Sequence, residues 1–350
     1  MVDSYGGVFP EDVIEIINLV KTKMSCKLGF HGHDNLELAL VNSLTAIAHG
    51  VEIIDATVLG MGRGAGNLKT ELLLTVLNNK NNLGVNFNAL ERAVSAISPL
   101  LKKYEWGTNL PYMISGSNSL PQKDVMDWVS TRFYSFNSII RALDNKKNKL
   151  EDNEKFSLAQ FDSTDKVLVV GGGASVAEHI DGIHALLVQN PELAIIHASA
   201  KNADFFKELP NKQYFCLVGN EGHRLESVLN NLSNFNGVCI LPPYPRNMGT
   251  YVPQKVKEKT FELEAVNITD KFKDAHTALA LQIVKNIGAK ELLVVGYDGY
   301  KDTVITEKEK NLNGENTYLF INIKEQVKSV TSLVPTYYSF FDVKSLYEMI

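Results

Sequence analysis

Cysteine is scarce in this chain: three in 350 residues, Cys26, Cys216 and Cys239, far apart and each in or beside an apolar run. That spacing excludes a disulfide framework or a clustered thiolate site and points to buried free thiols in a reducing compartment. Long hydrophobic runs are also missing. No stretch approaches the roughly 20 apolar residues that a membrane-spanning helix needs. The opening residues Met1 to Tyr5 lack the basic and apolar regions of a secretion signal. The expected location is cytoplasmic. Nor is there an excess of positive charge. Thirty-five Lys and Arg stand against 40 Asp and Glu, a net charge of −5 with no basic stripe, so nucleic acid is not an expected partner. The remaining composition, 45% hydrophobic and 21% charged, is that of a globular protein, and the length suits two domains.

Strand-to-helix alternation occupies residues 1–75. A stub strand, Met1-Val2-Asp3-Ser4, precedes Gly6-Gly7. Pro10-Glu11-Asp12 opens a helix in which Val13, Ile16, Ile17 and Val20 recur at helical spacing. Strand 26–30 leads to helix 36–48. Strand 51–58 leads through Gly60-Met61-Gly62-Arg63-Gly64-Ala65-Gly66 to a helix starting near Asn67. Such alternation implies a parallel sheet. Residues 76–150 read as a helical extension, with one long helix over 123–143 and an exposed polar loop over 144–149; 151–165 read as a linker. From 166 to 350 the alternation resumes, with strands at 167–170, 193–197, 214–218, 237–241 and 291–296 and a helix at 275–287. The fold class is therefore α/β, with two α/β regions separated by helices.

His31-Gly32-His33 is the most pointed motif. Residues i and i+2 of a strand face the same side, so two imidazoles at one strand end can converge on a single cation. The helix that follows places this strand end at the mouth of a β/α unit, where such folds keep their chemistry.

Three strand ends, taken in order, resemble a known family. They are Val2-Asp3-Ser4-Tyr5-Gly6, then Phe30-His31-Gly32-His33-Asp34-Asn35, then Ile54-Asp55-Ala56-Thr57 with the glycine loop and Asn67. They resemble the last three β/α units of the metal-dependent aldolase and lyase TIM barrels, which include 4-hydroxy-2-oxovalerate aldolase, HMG-CoA lyase and the isopropylmalate synthases. Residues 31–67 are most similar to the 4-hydroxy-2-oxovalerate aldolase branch. The resemblance implies that residues 1–75 are the C-terminal portion of a partial barrel. It implies that His31 and His33 bind a divalent cation (manganese, magnesium or zinc), with Asn67 completing the shell. It also implies a small-molecule 2-oxo acid as substrate, whose enolate the metal stabilises on carbon–carbon cleavage or formation. Neutral imidazole suits transition metals better than magnesium. Asn67 reads equally as a helix N-cap. Asp3 is a candidate catalytic or supporting group, or a polar residue at a helix entrance. Asp55 is a candidate inward-facing residue, or one that hydrogen-bonds locally.

The family's barrel begins with a strand carrying an Asp ligand and an enolate-stabilising Arg. Only thirty residues precede His31 here, and eight strands are needed to close a barrel. The expectation is a fragment of a longer protein, inactive as a lyase alone. Its open sheet edge could meet a partner chain or a second copy. Residues 76–150 would correspond to the helical segment that in aldolases docks a partner dehydrogenase.

In the second region, Gly171-Gly172-Gly173-Ala174-Ser175-Val176 follows a strand, and such loops present backbone N–H groups to phosphates. The dinucleotide fingerprint is incomplete, and the next strand ends at His197-Ala198-Ser199 without an acidic residue for a ribose, which disfavours NAD. With Gly288–Gly299 and Thr331–Thr336, this motif resembles the Rossmann-like domain of archaeal hydroxymethylpterin pyrophosphokinase, flagellin-modification proteins and sialyltransferase-like enzymes. The resemblance implies a nucleotide or nucleotide-sugar at Gly172, Gly173 and Ser175, with Asp298 and Asn220 near the substrate. Without a ligand, the glycines simply turn the chain. His276 reads as structural, and Pro242-Pro243-Tyr244-Pro245 as a rigid loop. The leading function is thus a metal-dependent aldolase or lyase. The alternatives are a nucleotide-sugar-type transferase in surface glycan biosynthesis, with the barrel remnant as scaffold, and a non-catalytic assembly module.

Overall fold

A computed structural model describes residues 1–130, 134, 136–149, 154–246, 250–301 and 307–350. The chain divides into two compact units, Met1–Thr131 with Ile139–Leu150, and Arg132–Ser138 with Glu151–Ile350. Among the described residues no helix is long and apolar enough to cross a membrane.

The first unit holds a parallel sheet of β1 (Val2–Asp3), β2 (Gly29–Gly32) and β3 (Ile53–Asp55), in that order. Val2 pairs with His31, and His31 with Asp55. Strand alternation sends Phe30 into a core with Val13, Ile17, Ala46 and Val51. Val2 and Ile53 stay exposed on the other face. Helix Pro10–Lys23 starts where proline presets the backbone and Asp12 Oδ2 accepts the Phe9 N–H at 2.8 Å. The next helix is Ala39–Ala48, three residues later than the apolar spacing suggests. Glu37 at φ 59° breaks the run, and Asp34 Oδ1 receives the Ala39 N–H at 3.4 Å. The third helix is Thr70–Asn81.

Four more helices follow: Phe87–Tyr104, Leu110–Ser117, Gln122–Ser130 and Phe136–Asn148. The single helix expected over 123–143 is therefore two, and residues 131–133 and 135 lie outside the described set. The polar run from Asp144, expected as a loop, is helical through Asn148. Lys146 pairs with Asp124, and Asn148 Nδ2 donates to the Asp144 carbonyl at 2.9 Å. Charge runs mark solvated helix faces as readily as loops.

The second unit is built on an eight-stranded parallel sheet. Its strands are β4 (Lys166–Val170), β5 (Ala194–His197), β6 (Gln213–Cys216), β7 (Val238–Leu241), β8 (Thr260–Glu262), β9 (Glu291–Val295), β10 (Ser329–Ser332) and β11 (Asp342–Val343). The spatial order is β11-β10-β9-β4-β5-β6-β7-β8. Strands from β4 onward run outward one way and β9 to β11 the other, so the order reverses between β4 and β9. Sheets of this kind open a crevice at the carboxyl ends of the strands at such a reversal. Strand β4 is a continuous apolar run because both faces are covered. Val167 and Val169 pack with Leu281 and Phe320, while Leu168 and Val170 pack with Ile183 and Leu187.

The short or polar strands β8, β10 and β11 carry no clear alternation and escaped the sequence reading. Within the segment read as a linker, Ala159 N–H donates to the Glu262 carbonyl at 2.9 Å and Glu262 N–H to the Ser157 carbonyl at 3.0 Å. That stretch extends the outer edge of β8.

Candidate functional site

His31 lies in β2 and His33 just beyond it, and the strand's period of two turns both rings to one side. Their centroids are 4.9 Å apart and the planes meet at 79°. Across the ladder to β3, His31 Nδ1 faces Asp55 Oδ2 at 3.5 Å. His33 Nδ1 lies 2.7 Å from the Asp3 carbonyl. A carbonyl only accepts, so Nδ1 carries the proton and Nε2 keeps the lone pair of the neutral ring. Metal-binding histidines are oriented in this way.

Asn67 meets His33 in an isolated antiparallel bridge. Its Nδ2 donates to the Met61 carbonyl at 2.9 Å, and its Oδ1 is buried without a hydrogen-bond partner. Leaving such an oxygen unsatisfied costs roughly 1–3 kcal/mol. Asn67 is not a helix cap, since Lys69 precedes the first turn of the next helix. Asp3 is buried. Burial pushes its carboxyl above the ordinary range, opposed by the N–H groups of Gly7, Val8 and Gly6. Its Oδ1 accepts the Gly7 N–H at 3.2 Å, so the side chain shapes the turn while the carbonyl orients His33. Asp55 is an exposed partner of His31.

Among the described residues no three His, Cys, Asp or Glu side chains are grouped to hold a metal. The strand end brings together two imidazoles, and the backbone bridge sets Asn67, with its unpartnered amide oxygen, next to His33 in the pairing. That set fits zinc or manganese better than magnesium and leaves coordination positions open.

The sequence reading missed the cover over this strand end. Asn35 is fully buried. Its Nδ2 donates to the Tyr112 carbonyl at 3.1 Å, its own carbonyl accepts from Thr108 Oγ1 at 2.9 Å, and Gln122 Nε2 donates to its Oδ1. Trp106 Nε1 reaches the Leu59 carbonyl at 2.9 Å, and Gly107 N–H the Gly64 carbonyl at 2.9 Å. Residues 106–122 therefore lie on the glycine loop. Gly64 (φ 59°) needs its missing side chain: a Cβ there would stand 2.9 Å from Gln122 Oε1. No local signal announces this arrangement, because its partners lie 43 to 87 positions apart.

In the second unit, the three loops singled out in the sequence converge at the reversal between β4 and β9. The Ser175 N–H donates to Asp298 Oδ2 at 3.1 Å, and its hydroxyl donates to Oδ1. Gly173 N–H donates to the Gly296 carbonyl at 2.8 Å, Tyr337 N–H to the Asp298 carbonyl at 2.7 Å, and Thr336 Oγ1 to the Tyr297 carbonyl at 2.7 Å. A Cβ on Gly173 would fall 2.5 Å from the Asp298 carboxylate. The position expected for a phosphate is thus held by a side-chain carboxylate. Lys201 Nζ donates to the Gly172 carbonyl at 2.9 Å. Asn220 does not join this group. It follows β6, two strands from β4, or about 10 Å across the sheet. His276 Nε2 lies 3.6 Å from buried Glu221, which also accepts the Ala200 N–H at 2.6 Å.

Residues 1–97 match the family profile described as HMGL-like. The chain is 38% identical over 104 residues to the 4-hydroxy-2-oxovalerate aldolase of Pelotomaculum thermopropionicum, covering 29% of this chain and 31% of that protein. It is 40% identical over 106 residues to the same-named enzyme of Geobacillus stearothermophilus, covering 29% and 30%. The chain thus spans less than a third of the length of these curated relatives. Among solved structures, it is similar to the N-terminal domain of a proposed aldolase from Bacteroides vulgatus. Identity there is 59%, coverage 41% of this chain and 46% of that one, and the TM-score 0.38. A MAf glycosyltransferase from Magnetospirillum magneticum matches at 11% identity, covering 69% and 44%, with a TM-score of 0.39.

Proposed function

We propose that the HMGL-like residues 1–97 supply the cation-holding part of an aldolase-type site, in which His31, His33 and Asn67 hold a divalent metal against a 2-oxo acid. One observation carries this reading: two imidazoles on one side of a strand end, one with Nε2 set as an acceptor by the Asp3 carbonyl and its backbone bridged to Asn67, whose amide oxygen lacks a partner. The cation, when bound, supplies Lewis-acid polarisation of the oxo group and stabilises enolate charge. The protein's part is orientation. The Asp3 carbonyl fixes the His33 ring, and the Asp55 carboxylate faces His31 Nδ1 across the ladder. The packed glycine loop holds Asn67, and residues 106–122 brace that loop. These residues are assigned metal and carboxylate binding, and no turnover step.

The test is calorimetric titration of the full chain with manganese and with zinc, followed by pyruvate, the simplest 2-oxo acid. The expected result is one ion per chain, lost in His31→Ala and His33→Ala and weakened about tenfold in Asn67→Ala, as for a lost ligand or its support. Pyruvate should bind only the loaded protein. Unchanged metal stoichiometry in the double histidine variant would refute the reading.

A second reading concerns the other unit. Convergence of three loops at the strand-order reversal supports a crevice for a nucleotide or nucleotide-sugar at Gly172, Gly173 and Ser175. The resident Asp298 carboxylate weighs against it, since an arriving phosphate would meet a like charge. Failure of CMP, UDP and their sugar conjugates to raise the melting temperature would remove it.

A further inference from the structure

The second unit contains a recess that neither reading uses. It lies beyond the carboxyl ends of β6, β7 and β8 and has a volume of about 320 Å³. Its apolar wall comes from Val218, Val266 and three prolines, Pro242, Pro243 and Pro245. Rings and branched chains of this kind lose little freedom when a ligand arrives, so the shape is largely set in advance.

Among the described residues, four charged ones line the recess: Arg246, Glu264, Lys273 and Asp274. Arg246 is spent on the fold. Its side chain is buried, with Nη1 3.0 Å from Glu262 Oε2 and 2.9 Å from the Pro242 carbonyl. That leaves Lys273, Glu264 and Asp274, one positive charge against two negative. No ion pair engages any of the three among the described residues. Asp274 is held in place, since the Tyr134 hydroxyl donates to its Oδ2 at 3.1 Å. Burial and the neighbouring carboxylate keep that hydroxyl protonated well above the usual range for tyrosine. Tyr134 thus remains the donor to Oδ2, and among the described residues no hydrogen bond engages Oδ1.

We propose that this recess binds a monosaccharide-sized, hydroxyl-rich ligand, and that it prefers an amino sugar to neutral or acidic ones. The volume sits at the small end of ligand cavities, which limits the occupant to about a dozen heavy atoms. Two carboxylates beside a rigid apolar wall accept hydrogen bonds from hydroxyl and ammonium groups, and hydrogen bonds with one charged partner are the stronger kind. The net negative charge repels phosphates and carboxylates. The assignment is independent of the metal reading in the first unit.

The full chain is titrated calorimetrically at pH 6.5 with D-glucosamine, D-glucose and D-glucuronate. Affinity should fall in that order, with glucosamine saturating below about 10 mM. Asp274→Asn and Glu264→Gln should each weaken glucosamine about tenfold, the worth of one charge-assisted hydrogen bond. His31→Ala should leave it unchanged. Glu264 is exposed, so its variant keeps the fold and the test remains valid if Asp274→Asn disturbs packing. Three results overturn the proposal: no saturation by glucosamine in that range, tighter binding of glucuronate, or equal affinity in wild type and Glu264→Gln.

Discussion

His197 should make the second unit acid-sensitive, and the size of the effect follows from its surroundings. The ring is fully buried on β5, stacked on Phe215 at 4.2 Å and edge-on to Phe206 at 5.1 Å. Gln213 Nε2 donates to the Phe206 carbonyl at 2.8 Å, which turns Gln213 Oε1 toward His197 Nε2 at 2.9 Å. His197 therefore donates from Nε2, and Nδ1 has no partner. A proton on Nδ1 would be a buried, unpaired charge. Burial accordingly pushes His197 down to about 4, only partly opposed by the Gln213 bond.

The unfolded chain takes up this proton near the ordinary histidine value of about 6.5. Between those values the unfolded state binds more protons than the native one, so stability falls with falling pH. The contribution is whole above pH 6.5 and is lost as pH drops toward 4, amounting to about 2–3 kcal/mol at pH 4.5. His197→Gln keeps a donor toward Gln213 but cannot titrate. Amide exchange of peptides spanning β5 and β6, corrected for intrinsic rates, reads the stability of this unit. Tryptophan fluorescence cannot, because Trp106 and Trp128 both lie in the first unit. The wild type should lose protection between pH 7 and 4.5 by that amount more than the variant. Equal pH slopes in the two proteins would show that the buried imidazole is not the acid-sensitive group.

Other perturbations test other joints. Gly64→Ala, at φ 59° and against Gln122, should destabilise the first unit by about 2 kcal/mol, read as a lower urea midpoint by Trp106 fluorescence. Asp298→Asn weakens the two bonds from Ser175 and should cost about 1–3 kcal/mol, with faster amide exchange confined to residues 171–178 and 296–299. Glu262→Gln removes the carboxylate charge that lies 3.0 Å from the buried Arg246 guanidinium and should lower the second unit's stability by about 3–5 kcal/mol, measured by exchange at β7 and β8.

Periodicity and composition determined much of this protein without a structure. An apolar run bounded by glycine located β4 and β9. A period of two placed His31 and His33 on one side of their strand, and helical spacing together with a proline located Pro10–Lys23. These features are legible because they depend on bond geometry over a few residues.

Tertiary structure alone decided the rest. Asn67 could cap a helix or lie next to His33, and only the pairing of the two backbones made it the latter. Glycines 171–173 could cradle a phosphate or simply turn the chain, and the carboxylate that accepts the Ser175 N–H at their end comes from 123 positions beyond Ser175. The outer strands β8, β10 and β11 exist because a neighbouring strand offers unpaired N–H and carbonyl groups. Contacts of that kind are set by which surfaces meet when the whole chain packs, and local spacing carries no record of them.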